Sequence, residues 1–148
     1  MNDEPAKIKA VPAPMPANKA ISYEDFKKVE IRAGKILSAE KIPETDKLLK
    51  LSVDFAEKDE LGNPRPRQIV SGIALKFPDI ASLVGKTCMF VTNLEPRTIK
   101  GHVSNGMLFA VSTPATVTVA ADGTNTTVEG GFSLLEPNAT IPPGTLAA

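Results

Sequence analysis

Hydrophobic side chains recur at every second position over much of this chain, the spacing that puts alternate residues on one face of a β-strand. Val29, Ile31 and Ala33 alternate with Glu30, Arg32 and Gly34 ahead of Ile36 and Leu37, which predicts a long first strand with a bend or bulge at Gly34. Pro43 ends that strand, and Glu44-Thr45-Asp46 forms the turn after it. Leu49, Leu51, Val53 and Phe55 line one face of a second strand. Residues 56–66 are charged and contain Gly62, Asn63, Pro64 and Pro66, a loop composition. A third short strand runs from Arg67 to Ser71, and Pro78 to Val84 reads as a short helix stopped by Gly85. Lys86 to Asn93 is a fourth strand, Pro96 to Asn105 a polar and basic segment, and Met107 to Val111 a fifth strand.

The remainder continues as β. Thr116–Ala120 and Thr124–Val128 flank Asp122-Gly123, a strong hairpin signal, and Phe132 to Leu135 follows Gly130-Gly131. Five short strands with one helix between the third and fourth is the order of an OB-fold barrel. The expectation is therefore an all-β chain: a five-stranded OB-fold barrel, a short helix between strands 3 and 4, and a C-terminal β extension. A β-sandwich fits the strand count but accounts less naturally for the helix. At the other end, Pro5, Pro12, Pro14 and Pro16 alternate with Ala and Lys, so residues 1–20 read as a disordered tail or a tether. Ser22, with Glu24, Asp25 and Phe26, looks like a capped helical turn. The expected organisation is a tail over 1–20, a barrel over 21–111, and an extension over 112–148 that packs on the barrel or on a dimer partner.

Composition narrows the function. The chain has 148 residues, about one domain, and 5% aromatics with no Trp, so the core must be mainly aliphatic. Seventeen basic side chains balance seventeen acidic ones, which argues against an indiscriminate polyanion coat. The balance is uneven along the chain. Over 61–111, Arg65, Arg67, Lys76, Lys86, Arg97 and Lys100 face only Asp79 and Glu95, a net of +4, whereas 112–148 holds Asp122, Glu129 and Glu136 with no Lys or Arg. A local basic face suits selective phosphate contacts, although a solvated surface carries charge as well. The single Cys88 sits in an apolar strand pattern and reads as core, and with no internal disulfide available a reducing cytoplasm is expected. The single His102 has no nucleophile beside it and no ligand set around it, so neither catalysis nor a metal or cofactor is expected. No apolar run reaches the roughly 20 residues of a membrane span, and no phosphate-cradling Gly-rich loop occurs. Two glycosylation sequons, at Asn125 and Asn138, read as chance matches in a cytoplasmic protein.

Three runs in order carry a resemblance: VEIRAGKIL (29–37) with TDKL (45–48), RQIVSG (67–72), and NLEPRTIKGHVSNGM (93–107). Together they resemble the tRNA-binding domain found at the C-terminus of bacterial methionyl-tRNA synthetases, in free-standing tRNA-binding proteins, in the endothelial-monocyte-activating polypeptide family and in the export chaperone CsaA. The resemblance covers about residues 21–111. It implies an OB barrel that binds tRNA on one face without catalysis, and a homodimer, with a methionyl-tRNA synthetase catalytic chain as a possible partner. The synthetase catalytic signatures are absent from this sequence. It also points to the segment from Asn93 to Met107 as the RNA surface. In that segment Arg97 and Lys100 suit phosphates, Asn93 reads a base edge or ties down a strand end, Ser104 meets RNA or serves a turn, and Met107 offers a stacking surface or belongs to the core. Arg67, Lys47 and Lys35 would widen the basic track if they face the same side. Between Val111 and Phe132 the chain is longer than the family pattern, an added hairpin expected at the dimer interface, with the acidic C-terminal third away from the RNA. The competing reading is a CsaA-like chaperone that binds unfolded peptides.

Overall fold

The computed structural model describes residues 18–147, so most of the expected N-terminal tail lies outside the described residues. Ser22 caps a one-turn helix α1 (Tyr23–Phe26), its Oγ accepting from the Asp25 amide at 3.0 Å. Strand β1 (Ile31–Lys41) follows, then β2 (Leu49–Asp54), β3 (Arg67–Ser71), β4 (Thr87–Val91) and, after a small hairpin, β7 (Met107–Leu108). These five form one antiparallel sheet in the order β3-β2-β1-β4-β7. The sheet curls into a nearly closed barrel, because the segment before β7 reaches across to β3. The Asn105 amide donates to the Gln68 carbonyl at 2.8 Å, and the Gln68 side-chain amide donates to the Val103 carbonyl at 2.9 Å. Mostly β with very little helix, the architecture is OB-like.

Alternation delivers the core as the sequence predicts. Leu49, Leu51 and Val53 of β2 meet Ile36, Ile69, Cys88 and Phe90 with no measurable exposure. Phe55 and Phe90 pack edge to face at 5.2 Å between centroids. Burial pushes the Cys88 thiol up to about 11, which suits a core residue rather than a reactive thiolate. The expected irregularity in β1 is displaced: the bulge lies at Leu37, between the Ile36↔Val53 and Ser38↔Ser52 pairs. Gly34 has a different task, since a Cβ there would sit 2.5 Å from the Phe55 ring and 2.6 Å from Val53.

The short helix between β3 and β4 takes 3-10 form, as two single turns at Ala74–Lys76 and Ile80–Leu83. Asp79 accepts from the Ala81 amide, and the chain reverses at Gly85 with φ +92, which leaves too few residues for an α-helix. Leu83 nevertheless plugs into the core as a helix residue would. The segment expected as one fifth strand is divided, with β7 followed by β8 (Ala110–Ser112), which pairs with β11 (Phe132–Leu134). Leu134 enters the core, and the last residues run along the N-terminal half of β1 on the side that β2 leaves unpaired, Gly144 donating to Ala33 O at 2.7 Å and Ala147 to Ile31 O at 2.8 Å. Strands β9 (Thr116–Val119) and β10 (Asn125–Val128) form the expected hairpin around Asp122-Gly123, exposed along its whole length.

Candidate nucleic-acid interface

The segment expected to be merely polar and basic is a hairpin of its own. Strands β5 (Arg97–Ile99) and β6 (His102–Ser104) pair across a two-residue turn, Lys100-Gly101, with φ +51 and +81. Two left-handed residues in a row match the right-handed twist of the flanking strands. Gly takes that conformation freely, whereas a Lys there is held against its own preference. The hairpin, β7 and β3 enclose a groove of about 420 Å³. Val70, Leu94, Ile99 and Met107 give it apolar walls, and Glu95 and Arg97 supply charge. Gly106 lets the chain pass close to the barrel, because a Cβ there would lie 2.9 Å from Ile69 Cδ1, at φ +145.

The structure separates the eight sequence-derived candidates. Arg97, Lys100 and Met107 are exposed on or beside this hairpin, and neither cation forms an ion pair among the described residues. Asn93 ties a strand end: its Oδ1 accepts from the Glu30 amide at 2.8 Å and its Nδ2 donates to Lys28 O at 2.6 Å. Ser104 is only 6% exposed, its Oγ accepting from the Val70 amide at 3.0 Å and donating to Gly106 O at 3.1 Å. It sets the groove floor and has little left to offer a ligand. Lys47 is exposed in the turn before β2. Lys35 lies mid-β1 opposite Thr87, at the far end of β4 from the hairpin, so the structure does not bring it to the groove.

Arg67 is bound inside the fold. Its Nε and Nη2 donate to both Glu57 carboxylate oxygens at 2.8 and 2.7 Å, its Nη1 donates to Thr92 O at 2.6 Å, and its guanidinium lies over the Phe55 ring. Those hydrogen bonds hold the Glu57 carboxyl below its ordinary 4.5, against the opposing effect of burial. The network continues through Thr92, whose hydroxyl donates to Glu30 at 2.7 Å, and through Arg32, which pairs with Glu30 and donates to Gly144 O. Glu30 is likewise held below the usual carboxylate range, mainly by hydrogen bonds from Arg32 and Thr92. Of the groove's apolar walls the sequence pointed to Met107, while Val70, Leu94 and Ile99 were missed. Leu94 and Ile99, two apolar residues inside a polar segment, were the available signal.

A second exposed feature lies near α1. Tyr23, Phe26, Val29 and Leu146 surround a shallow hollow of about 370 Å³, and each keeps 45% or more of its surface in contact with solvent. Among the described residues no group of His, Cys, Asp and Glu is arranged to hold a metal, and no helix is long and apolar enough to cross a membrane.

Residues 31–145 match the family described as "Putative tRNA binding domain". The chain is 41% identical over 122 residues to a methionine–tRNA ligase of Azoarcus sp. (strain BH72), covering 82% of this chain and 15% of that one. It is 50% identical over 98 residues to a methionine–tRNA ligase of Methanoregula boonei, covering 66% of this chain and 13% of that one. The chain thus spans about a seventh of the curated relatives it matches. Among solved structures, a MetRS-related protein from Pyrococcus horikoshii superposes with a TM-score of 0.65 at 30% identity, over 88% of this chain and all of that one. The chaperone CsaA from Bacillus anthracis superposes with a TM-score of 0.61 at 25% identity, over 88% of this chain and all of that one.

Proposed function

The chain belongs to the tRNA-binding domain family, and from that premise we propose that it holds tRNA at the β5–β6 hairpin for a methionyl-tRNA synthetase without itself catalysing a reaction. One observation carries the placement: Arg97 and Lys100, which form no ion pair among the described residues, stand beside an apolar groove that ends in exposed Met107. A guanidinium and an ammonium neutralise phosphates, while the groove walls accept the face of an unstacked base. Contact through backbone and shape serves many tRNAs and raises their local concentration at a catalytic partner. Its place of action is the cytoplasm.

The shallow apolar hollow between α1 and Leu146 supports a homodimer, since a second copy would cover side chains that otherwise remain wet. Sedimentation should give twice the 15.7 kDa chain mass at micromolar concentration. A single-chain mass there would remove the dimer. Among the described residues none of the acidic segment 112–148 lines the groove, which supports a segment that phosphates avoid.

A peptide-binding chaperone would use the apolar walls of the same β5–β6 groove, so competition for that groove separates the two activities. Fluorescent unfractionated tRNA should bind saturably, and excess unfolded polypeptide should leave it in place. Displacement by the polypeptide, or no tRNA binding, would favour the chaperone reading instead.

A further inference from the structure

We infer that the groove selects an unpaired guanine of its RNA, with Glu95 reading the donor edge of the base. This rests on the tRNA-binding reading above and specifies what the site takes. Glu95 is an anomaly in its surroundings. It lines the groove beside Arg97, is exposed, and forms no ion pair among the described residues. Only one other acid falls within 61–111, and that one, Asp79, caps a 3-10 turn. A carboxylate placed where a polyanion must lie repels it unless the carboxylate meets a hydrogen-bond donor. An ionised carboxylate only accepts, so the ligand must present donors to it.

The four bases differ in what they present. Guanine offers N1–H and N2–H side by side, two parallel donors that match the two oxygens of one carboxylate. Adenine and cytosine each place a lone amino group beside a ring acceptor. Uracil has one N–H between two carbonyls. Guanine is therefore the base that a free Glu95 favours most. Its donor edge is exposed only when the base is unpaired, which limits the site to loops and single strands. Val70, Leu94, Ile99 and Met107 then contact the base, and Arg97 takes the adjoining phosphate. The Ser104 hydroxyl is engaged by Val70 and Gly106, which leaves Glu95 and Arg97 as the groove's charged reading groups.

Glyoxal caps N1 and N2 of unpaired guanines and supplies the probe. Glyoxal-treated tRNA should bind the wild-type chain about fivefold or more weakly than untreated tRNA, the scale of one lost bidentate contact. Glu95→Gln should bind untreated tRNA more weakly than wild type does and should distinguish treated from untreated tRNA by less than about twofold, because an amide can no longer pair with both donors. Equal affinity of the wild type for both tRNAs would overturn the guanine assignment while leaving tRNA binding intact. An equal loss in wild type and Glu95→Gln would overturn it as well, since the adduct would then act elsewhere. Failure of untreated tRNA to bind would remove the tRNA-binding reading and this inference with it.

Discussion

The Arg97→Ala, Lys100→Ala double variant is expected to bind tRNA about tenfold or more weakly than the wild type, with its melting temperature and sedimentation unchanged. Each replacement removes a charge-assisted contact to phosphate, of about 1.5–3 kcal/mol in a desolvated setting and less at an open rim. Neither side chain holds the fold. Arg97 and Lys100 are exposed and make no ion pair among the described residues, and Lys100 occupies a left-handed position that Ala tolerates no worse. Polarisation titration beside a thermal melt reads both quantities. A variant that binds at wild-type strength would move the RNA away from the hairpin. A variant that also loses several degrees of stability would show that the two cations brace the barrel.

Arg67→Ala should behave in the opposite way. Arg67 and Glu57 are 17% and 27% exposed at their side chains, and removing the guanidinium leaves Glu57 without its bidentate partner and the Thr92 carbonyl without a donor. Leaving one half of a largely buried pair costs about 3 kcal/mol, or a fall in melting temperature of about 10 °C. Arg67→Lys should recover little, because a single ammonium cannot span both carboxylate oxygens and the Thr92 carbonyl. The pH profile adds a signature. The Glu57 pKa is depressed in the folded state, so its pair with Arg67 stabilises the protein above pH 4.5, and that contribution fades as pH falls through the lower folded value. Arg67→Ala should lack this acid-side loss. An unchanged melt combined with a tenfold drop in tRNA affinity would instead make Arg67 an RNA contact.

The contrast between these two arginines shows how much the sequence could reveal. The barrel was legible because its core depends on a period-two pattern, and Leu49, Leu51 and Val53 are buried as that pattern requires. The β9–β10 turn was legible because Asp122-Gly123 is a local signal, and Gly123 takes φ +87 there. The β5–β6 hairpin was not, since its strands are three residues long and its turn begins with Lys100, a residue that rarely adopts positive φ. At the site, chemistry alone could not distinguish free groups from engaged ones. Arg97 and Arg67 look alike along the chain, and only the fold carries Glu57 across from the loop before β3 to occupy Arg67. Likewise, Asn93 and Ser104 have the polarity of ligand contacts, yet the tertiary structure gives both to backbone partners far away in sequence.

The most direct test of the central claim is a titration of the wild-type chain with unfractionated tRNA at about 50 and about 200 mM salt. Each neutralised phosphate lowers log affinity by about 0.7–0.9 for every tenfold rise in salt, so engagement of the two hairpin cations alone predicts a loss of about tenfold across that fourfold range. Saturable binding that weakens by at least this factor is the expected result. Binding of equal strength at both salt concentrations would contradict a phosphate-gripping hairpin.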